Sequence, residues 1–238
     1  MRSLIQVLKF SSLLLLMMSE MAFAWRPHSI IIFGDSLSDN GNKYQLYSIP
    51  ISPPYWHGRY SNGPVWVENL AFQFNLIPNP LIEPDYPRHL GLQDYAMGDS
   101  TVLEKNQNPN VKTHSLLQQL KNYQSETHPD PSNTLAIIWD GANDFKSSTC
   151  QASPFSCTKE IIHTQVKVIN TLYELGIRHF LIPSLPSLSI APIAHEHYDV
   201  EQREVLRGMI RYYNNNLALA ISQIQASQAD IDIISFDV

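Results

Sequence analysis

The chain has 238 residues, a length that suits one domain better than two, and 44% of them are hydrophobic. That composition excludes a disordered chain and provides enough apolar residues for a core. The formal net charge is −6 and the Lys and Arg residues are scattered, so the chain does not have the basic face of a nucleic-acid-binding protein.

Residues 1–24 have the pattern of a signal peptide. A positively charged start precedes an apolar run at 10–18, and Ala22-Phe23-Ala24 has the small-x-small pattern of a cleavage site. The alternative is a membrane anchor, but the run is short for a bilayer and Glu20 interrupts it. We therefore expect export to the periplasm or the outside, with residues 25–238 forming one domain.

Strand and helix patterns alternate through residues 25–238. Strands are predicted at 29–33, 94–97, 135–139, 180–182 and 231–236. Helices are predicted at 65–74, 111–123, 160–175 and 201–225, with Gly176 as the C-cap of the third. Proline-rich loops are expected over the site at 49–64 and 77–92. This alternation predicts an α/β fold with a parallel sheet between two helical layers, and ligands bind such sheets beyond the carboxyl ends of the strands.

A serine follows the first predicted strand, in the string Gly34-Asp35-Ser36-Leu37-Ser38-Asp39-Asn40-Gly41-Asn42. Between a strand and a helix, a hydroxyl is exposed at the active edge, and backbone N–H groups there can stabilise an anion. The alternative is that Asp35 and Ser36 only cap a helix. The extended string resembles the opening block of the GDSL, or SGNH, hydrolases, and the resemblance implies that Ser36 is the nucleophile.

Two further blocks follow the second and third predicted strands. Tyr95-Ala96-Met97-Gly98 resembles the block whose glycine N–H binds the oxyanion, although Asp99 stands where the family often has a second glycine. Asp140-Gly141-Ala142-Asn143-Asp144 resembles the Gly-x-Asn-Asp block, whose Asn amide is the other donor. The alternatives are a turn glycine at 98 and a turn residue at 143.

The resemblance extends over residues 30–238, and segment 58–68 is similar to the bacterial secreted branch of phospholipases, lysophospholipases and glycerophospholipid–cholesterol acyltransferases. It implies a flavodoxin-like SGNH fold with a five-stranded parallel sheet, and hydrolysis of a lipid ester without a cofactor. Phospholipid or lysophospholipid is the expected substrate, reached at a membrane surface. Four residues beside the blocks are expected to support the catalytic groups: Asp35, Asp39, Gly141 and Asp144.

The family's last block, Asp-x-x-His, does not occur in this sequence. Without its His, Ser36 lacks a general base, so we expect the triad Asp and His to be absent from this chain and its activity to be feeble. His57, His195 and His197 have the setting of solvated surface residues rather than of a displaced base. His195-x-His197 is too weak a pattern to indicate a metal site, and we expect none.

The missing block also affects the predicted fold. The family's last helix would be missing, and Ile231, Ile233 and Ile234 would then have one sheet face bare. Burial of a helix-sized apolar patch is worth several kcal/mol, on the order of a domain's stability margin.

The only two cysteines, Cys150 and Cys157, both lie in the part expected to be exported. A close pair in an oxidising compartment can form a disulfide that pins a surface loop. Two unpaired thiols are the alternative.

The leading interpretation is thus an exported serine ester hydrolase. A second hypothesis is a non-catalytic exported protein that keeps the cleft and binds lipid or glycan. A third is a defective gene product that folds poorly. Ester turnover would support the first hypothesis, and ligand binding without turnover would support the second.

Overall fold

Five parallel strands form one sheet in the order β2-β1-β3-β4-β5. The structure, a computed structural model, describes residues 25–86, 91–128 and 130–238, so the predicted signal segment lies outside the described residues. The strands are β1 (Ser29–Gly34), β2 (Leu92–Asp94), β3 (Thr134–Trp139), β4 (His179–Pro183) and β5 (Asp232–Phe236). This is the flavodoxin-like strand order. The predicted α/β fold with a five-stranded parallel sheet is confirmed.

Seven α-helices lie within the described ranges, three more than the sequence predicts. They are α1 (Asn42–Tyr47), α2 (Trp66–Gln73), α3 (Leu116–Gln124), α4 (Ser148–Ala152), α5 (Pro154–Glu174), α6 (Pro192–His197) and α7 (Val200–Ser227). The additional ones, α1, α4 and α6, have only five or six residues, too few for an apolar periodicity to show in the sequence.

The strands separate two apolar layers because successive side chains point to opposite faces of the sheet. Ile31, Ala136, Phe180 and Ile233 pack in a large core with α3, α5 and α7. On the other face, a smaller core forms between β1, β2, β3 and α2, and residues of the 77–92 loop complete it. The sheet therefore lies between two unequal layers, with the larger core on the α5 and α7 side.

Some boundaries differ from the prediction for local reasons. Helix α3 begins at Leu116 rather than at 111, because the Ser115 hydroxyl accepts the Gln118 N–H and caps the helix there. Helix α5 begins earlier than predicted, with Pro154 in its first turn, a position that needs no N–H donor. Gly176 follows α5 with φ 101°, as expected for its predicted C-cap role.

Strand β2 is regular over Leu92–Asp94 and not over the predicted 94–97. Beyond it, the Asp94 carboxylate accepts the Ala96 N–H at 2.8 Å and bends the chain. Bonds to β1 nevertheless continue, from the Tyr95 N–H to the Ile32 carbonyl and from the Met97 N–H to the Gly34 carbonyl. The segment after β2 is thereby guided along β1 to the carboxyl edge of the sheet.

The expectation for the last strand is wrong for two of its three isoleucines. Ile231 and Ile233 are buried, because they belong to the large core that α7 covers. Ile234 points to the other face and is 52% exposed, and Phe236 beside it is 57% exposed. The bare face of β5 is therefore formed by residues 234 and 236.

Cys150 and Cys157 are bonded, with Cα atoms 5.1 Å apart. Both are buried, and they join α4 to the first turn of α5. Whether exported protein carries this bond stays a prediction. None of the helices in the described ranges is both long and apolar enough to cross a membrane.

Candidate functional site

The carboxyl ends of β1 and β3 adjoin, because Gly34 pairs with Trp139 as the last residue of each strand. Ser36 follows the first of these ends and Asn143 follows the second. The segment after β2 reaches the same edge, where the Asn143 side-chain amide donates to the Ser100 carbonyl at 2.8 Å. The fold thus brings the three predicted blocks to one edge of the sheet.

Ser36 is partly buried and lies in a tight turn. The Asp35 carboxylate accepts the Leu37 N–H, and the Asp35 carbonyl accepts the N–H groups of Ser38 and Asp39. Within the described ranges, neither the N–H nor the hydroxyl of Ser36 has a hydrogen-bond partner. Both groups are therefore available to a ligand, which is what a nucleophile with its own oxyanion donor needs.

Asp39 holds the first and second blocks together. Its carboxylate accepts N–H groups at the start of α1, from Gly41 at 2.8 Å and Asn42 at 2.6 Å. The same carboxylate accepts the Gly98 N–H at 2.8 Å. Gly98 was predicted to give that N–H to the oxyanion. The role stays a prediction, but in this structure the N–H already has an acceptor.

The next residue, Asp99, has the features that the prediction assigned to Gly98. Its φ is 64°, in the left-handed region, and its N–H has no acceptor among the described residues. Its carboxylate forms an ion pair with Lys43, whose side chain is only 1% exposed. The ion pair fixes Asp99 in a backbone conformation that glycine adopts more readily.

The predicted loop 49–64 covers this part of the edge. The Tyr60 ring lies against Gly98 so closely that a Cβ there would come within 2.3 Å of the ring. This contact favours glycine at 98, because any larger residue would have to displace the Tyr60 ring. The loop is anchored by Arg59, which donates to the fully buried Glu68 carboxylate at 2.7 Å and to the Pro84 carbonyl.

Asn143 has its amide orientation fixed from both sides. Its Nδ2 donates to the Ser100 carbonyl, and its Oδ1 accepts from Lys146 Nζ at 2.8 Å. Gly141, two residues earlier, has φ 119°, which favours glycine. The Asp144 carboxylate accepts the N–H groups of Val102 and Leu103, which lie in the segment after the second block. The second N–H of the Asn143 amide remains for a ligand.

A chain of buried hydrogen bonds supports the edge from behind. Gln119 of α3 accepts the Gly34 N–H and donates to the Gly34 carbonyl, each at 2.9 Å. It also donates to the Ser100 hydroxyl, which in turn donates to Asp140 at 2.6 Å. Gln165 of α5 then donates to the Asp140 carbonyl. The ends of β1 and β3 are therefore held by side chains of two helices.

Four buried carboxyl groups at this edge have raised pKa values, and they belong to Asp35, Asp39, Asp140 and Asp144. Burial raises the pKa of Asp35 and that of Asp144 to about 6 each, while hydrogen bonds from neighbouring N–H groups oppose the shift. Burial, together with the charges of Asp35 and Asp144, raises the pKa of Asp140 well above its usual range. Burial also raises the pKa of Asp39. These groups are desolvated beneath the site, as perturbed carboxyls at functional sites are.

The histidines considered as substitute bases do not reach Ser36. His57 is exposed in the 49–64 loop, and His195 and His197 are exposed on α6. In the part of the chain that the structure describes, no imidazole is hydrogen-bonded to Ser36. The same part contains no group of three or more His, Cys, Asp or Glu side chains arranged to hold a metal ion.

Several residues of this edge were not found from the sequence. Lys43 and Gln119 lie in helical segments whose patterns do not reveal that their side chains are buried. Asp99 was noted only as a departure from the family pattern. An Asp where the family often has a glycine is the one sequence feature that could have identified this residue as part of the site.

The family model described as GDSL-like Lipase/Acylhydrolase matches residues 30–238. The chain is 28% identical over 214 residues to a protein of Aeromonas hydrophila named phosphatidylcholine-sterol acyltransferase, covering 87% of this chain and 58% of that protein. It is 25% identical over 242 residues to a GDSL esterase/lipase of Arabidopsis thaliana, covering 84% and 66%. The chain thus spans less than two thirds of either relative.

Among solved structures, the chain is similar to a member of the lipolytic protein G-D-S-L family from Veillonella parvula. The TM-score is 0.47 and the identity 16%, over 87% of this chain and 76% of that one.

Proposed function

Because the chain belongs to the GDSL-like lipase/acylhydrolase family, we propose that it is a serine hydrolase of carboxylic esters with Ser36 as the nucleophile. The observation that carries the proposal is that the N–H and hydroxyl of Ser36 have no partner among the described residues, at the same edge of the sheet as the Asn143 amide. Attack of the hydroxyl on an ester carbonyl would form an acyl-enzyme and release an alcohol, and water would then free the acid.

Three donors are placed to bind the oxyanion of that step. They are the N–H of Ser36, the N–H of Asp99 and the free N–H of the Asn143 amide. The first two have no acceptor within the described ranges, and the third is held by Ser100 and Lys146. Preorganised donors of this kind lower the barrier because they need no reorientation as charge develops. In this proposal Asp99 takes the role that the family resemblance implies for Gly98.

The nucleophile also needs a group to take its proton, and no described imidazole contacts Ser36. The family resemblance implies a His from an Asp-x-x-His block, which the printed sequence does not contain. We therefore expect these 238 residues to hydrolyse esters slowly, and we expect an ordinary enzymatic rate when such a block is joined to them. Loss of a triad member costs on the order of a million-fold in turnover.

The test is hydrolysis of a short-chain aryl ester by the chain with and without a family C-terminal segment. Ser36→Ala should abolish the hydrolysis in both forms. Ser153→Ala is the matched control, because that exposed hydroxyl makes no capping hydrogen bond. Turnover that survives Ser36→Ala would contradict the proposal. Ordinary turnover without the added segment would show a base elsewhere, with His57, His195 and His197 examined first.

Phospholipid or lysophospholipid is the substrate class we propose, supported by the name of the Aeromonas relative. The same name supports a proposal of acyl transfer to a sterol as a related activity. We also propose export, on the sequence pattern of residues 1–24. A second candidate function is lipid binding without turnover. It is favoured by the observation that, among the described residues, no imidazole is hydrogen-bonded to Ser36. Binding of a lipid ester without release of fatty acid, in both forms of the chain, would support it.

A further inference from the structure

A cavity of about 470 Å³ opens beside the proposed oxyanion donors, and Asn143 and Asp99 form part of its wall. We call it the lysine pocket, because Lys105 and Lys146 also line it. Its volume is in the range of small-molecule sites. A group bound in it would lie next to an ester carbonyl held at Ser36.

The charge of the lysine pocket favours an anion. Lys146 Nζ donates to the neutral Asn143 amide, and no described carboxylate lies within 4 Å of it. Its positive charge extends to the nucleophile's turn, where it lowers the pKa of Asp35 against the larger effect of burial. Lys105 pairs with Glu160, but both side chains are about half exposed, so that pair is weak. The lining carboxylate, Asp99, is already neutralised by Lys43.

The remaining wall supplies hydrogen-bond donors. Asn108, Ser148 and Thr149 contribute amide and hydroxyl groups. Together with the two lysines, these groups give the pocket a wall of donors suited to acceptor oxygens.

We propose that the lysine pocket binds the phosphate group of a phosphodiester ester substrate, with Lys146 as its principal cation. The inference rests on the proposed function and deepens it. In a glycerophospholipid, only a few covalent bonds separate the phosphate from the acyl carbonyl. A phosphate in this pocket would therefore position that carbonyl between Ser36 and Asn143, and a phosphate-free ester would lose this contact.

The test is a binding measurement that needs no turnover. Glycerophosphocholine carries the phosphodiester of a phospholipid without its acyl esters, and it is titrated into the chain by calorimetry at low ionic strength. Inorganic phosphate is a second arm that represents a free anion, and glycerol and choline are phosphate-free arms. Lys146→Gln keeps a donor for Asn143 and removes the charge. Lys167→Gln, on an exposed part of α5, is the matched control.

We expect glycerophosphocholine to bind and Lys146→Gln to weaken it about tenfold, the loss expected for one charged contact of about 1.4 kcal/mol. Lys105→Met should weaken it less, and Lys167→Gln should leave it unchanged. Ser36→Ala should bind as well as the wild type, so failure of the proposed ester hydrolysis would not affect this result.

Three results would overturn the proposal. One is equal affinity of wild type and Lys146→Gln for glycerophosphocholine with unchanged thermal stability. Another is binding of choline or glycerol as tight as that of the phosphodiester. The third is inorganic phosphate binding more tightly than glycerophosphocholine, which would show a free-anion site rather than one for a substrate headgroup.

Discussion

At the scale of single residues, the proposed oxyanion site depends on which of two adjacent N–H groups is free. The Asp39 carboxylate accepts the Gly98 N–H, whereas the N–H of Asp99, which has a positive φ, has no acceptor within the described ranges. The buried Lys43 pairs with Asp99 and holds it in this conformation. A single buried helix residue thus decides which backbone group the site presents.

Substitution of Asp99 tests this assignment. Asp99→Asn keeps the N–H, tolerates a positive φ and offers Lys43 an acceptor, so kcat/KM for an aryl ester should stay within a few-fold of the wild type. Replacing the 98–99 peptide N–H by an ester oxygen, with the α-hydroxy acid analogue of Asp at position 99, removes the donor without fixing φ and should lower kcat about a hundredfold or more, as loss of one oxyanion donor does. Both are measured in whichever form of the chain hydrolyses the ester, with thermal unfolding of each variant as the folding control. Equal rates for the two variants would return the role to Gly98.

At the scale of elements, β5 presents one buried and one exposed face. Ile233 lies in the large core, whereas Ile234 is half exposed on the opposite face. Ile233→Ala should lower the free energy of unfolding by about 2 to 4 kcal/mol, because it leaves a cavity under α7. Ile234→Ala should cost less than about 1 kcal/mol. Urea unfolding of the two variants gives the comparison, and equal losses would mean that the second face is covered in solution.

The bond between α4 and α5 is a second feature at this scale. Cys150 and Cys157 are seven positions apart, so the loop that they close is short. In the chain-entropy model, a disulfide that closes a loop of this size stabilises the folded state by about 2 to 3 kcal/mol. The melting temperature of oxidised protein should therefore exceed that of protein reduced under otherwise identical conditions. Thiol titration of unfolded oxidised protein, which should find no free thiol, checks that the bond was present.

At the scale of the whole molecule, the buried acids beneath the site give stability a pH dependence. The folded pKa values of Asp35 and Asp144 are about 6, above the 3.8 of an unperturbed Asp. Between these values the folded state binds more protons than the unfolded state. Protonation of these carboxyls therefore adds to the free energy of unfolding. The contribution is fully present below about pH 3.8 and is lost as pH rises through about 6.

We expect each such carboxyl to make the protein about 1 kcal/mol more stable at pH 5 than at pH 7. His114 acts in the opposite direction, because burial lowers its pKa. The difference between wild type and Asp35→Asn isolates the contribution of Asp35, since Asn keeps the acceptor for the Leu37 N–H. The variant's free energy of unfolding should change less with acidification. If the free energy of unfolding changed with pH equally in wild type and Asp35→Asn, Asp35 would not be a buried carboxyl with a raised pKa.

The sequence by itself determined the fold and the site to different extents. Alternating apolar runs and helical spacings determined the parallel α/β fold, because burial on one or both faces of an element leaves a period in the sequence. Short motifs at strand ends predicted that Ser36 and Asn143 would lie at one edge of the sheet, because parallel strands place their carboxyl ends there. The family match over residues 30–238 agrees with those motifs.

Only the tertiary structure decided the details that depend on contacts between distant segments. The acceptor of the Gly98 N–H is a carboxylate 59 positions away, and the Gly34 backbone is held by a glutamine 85 positions away. Likewise, α7 determines which isoleucines of β5 are buried, and the lysine pocket joins residues of two segments that are distant in sequence, 99–111 and 143–149. Local periodicity carries no information on such pairings, because each is set by how separate elements pack and by which buried polar groups must find partners.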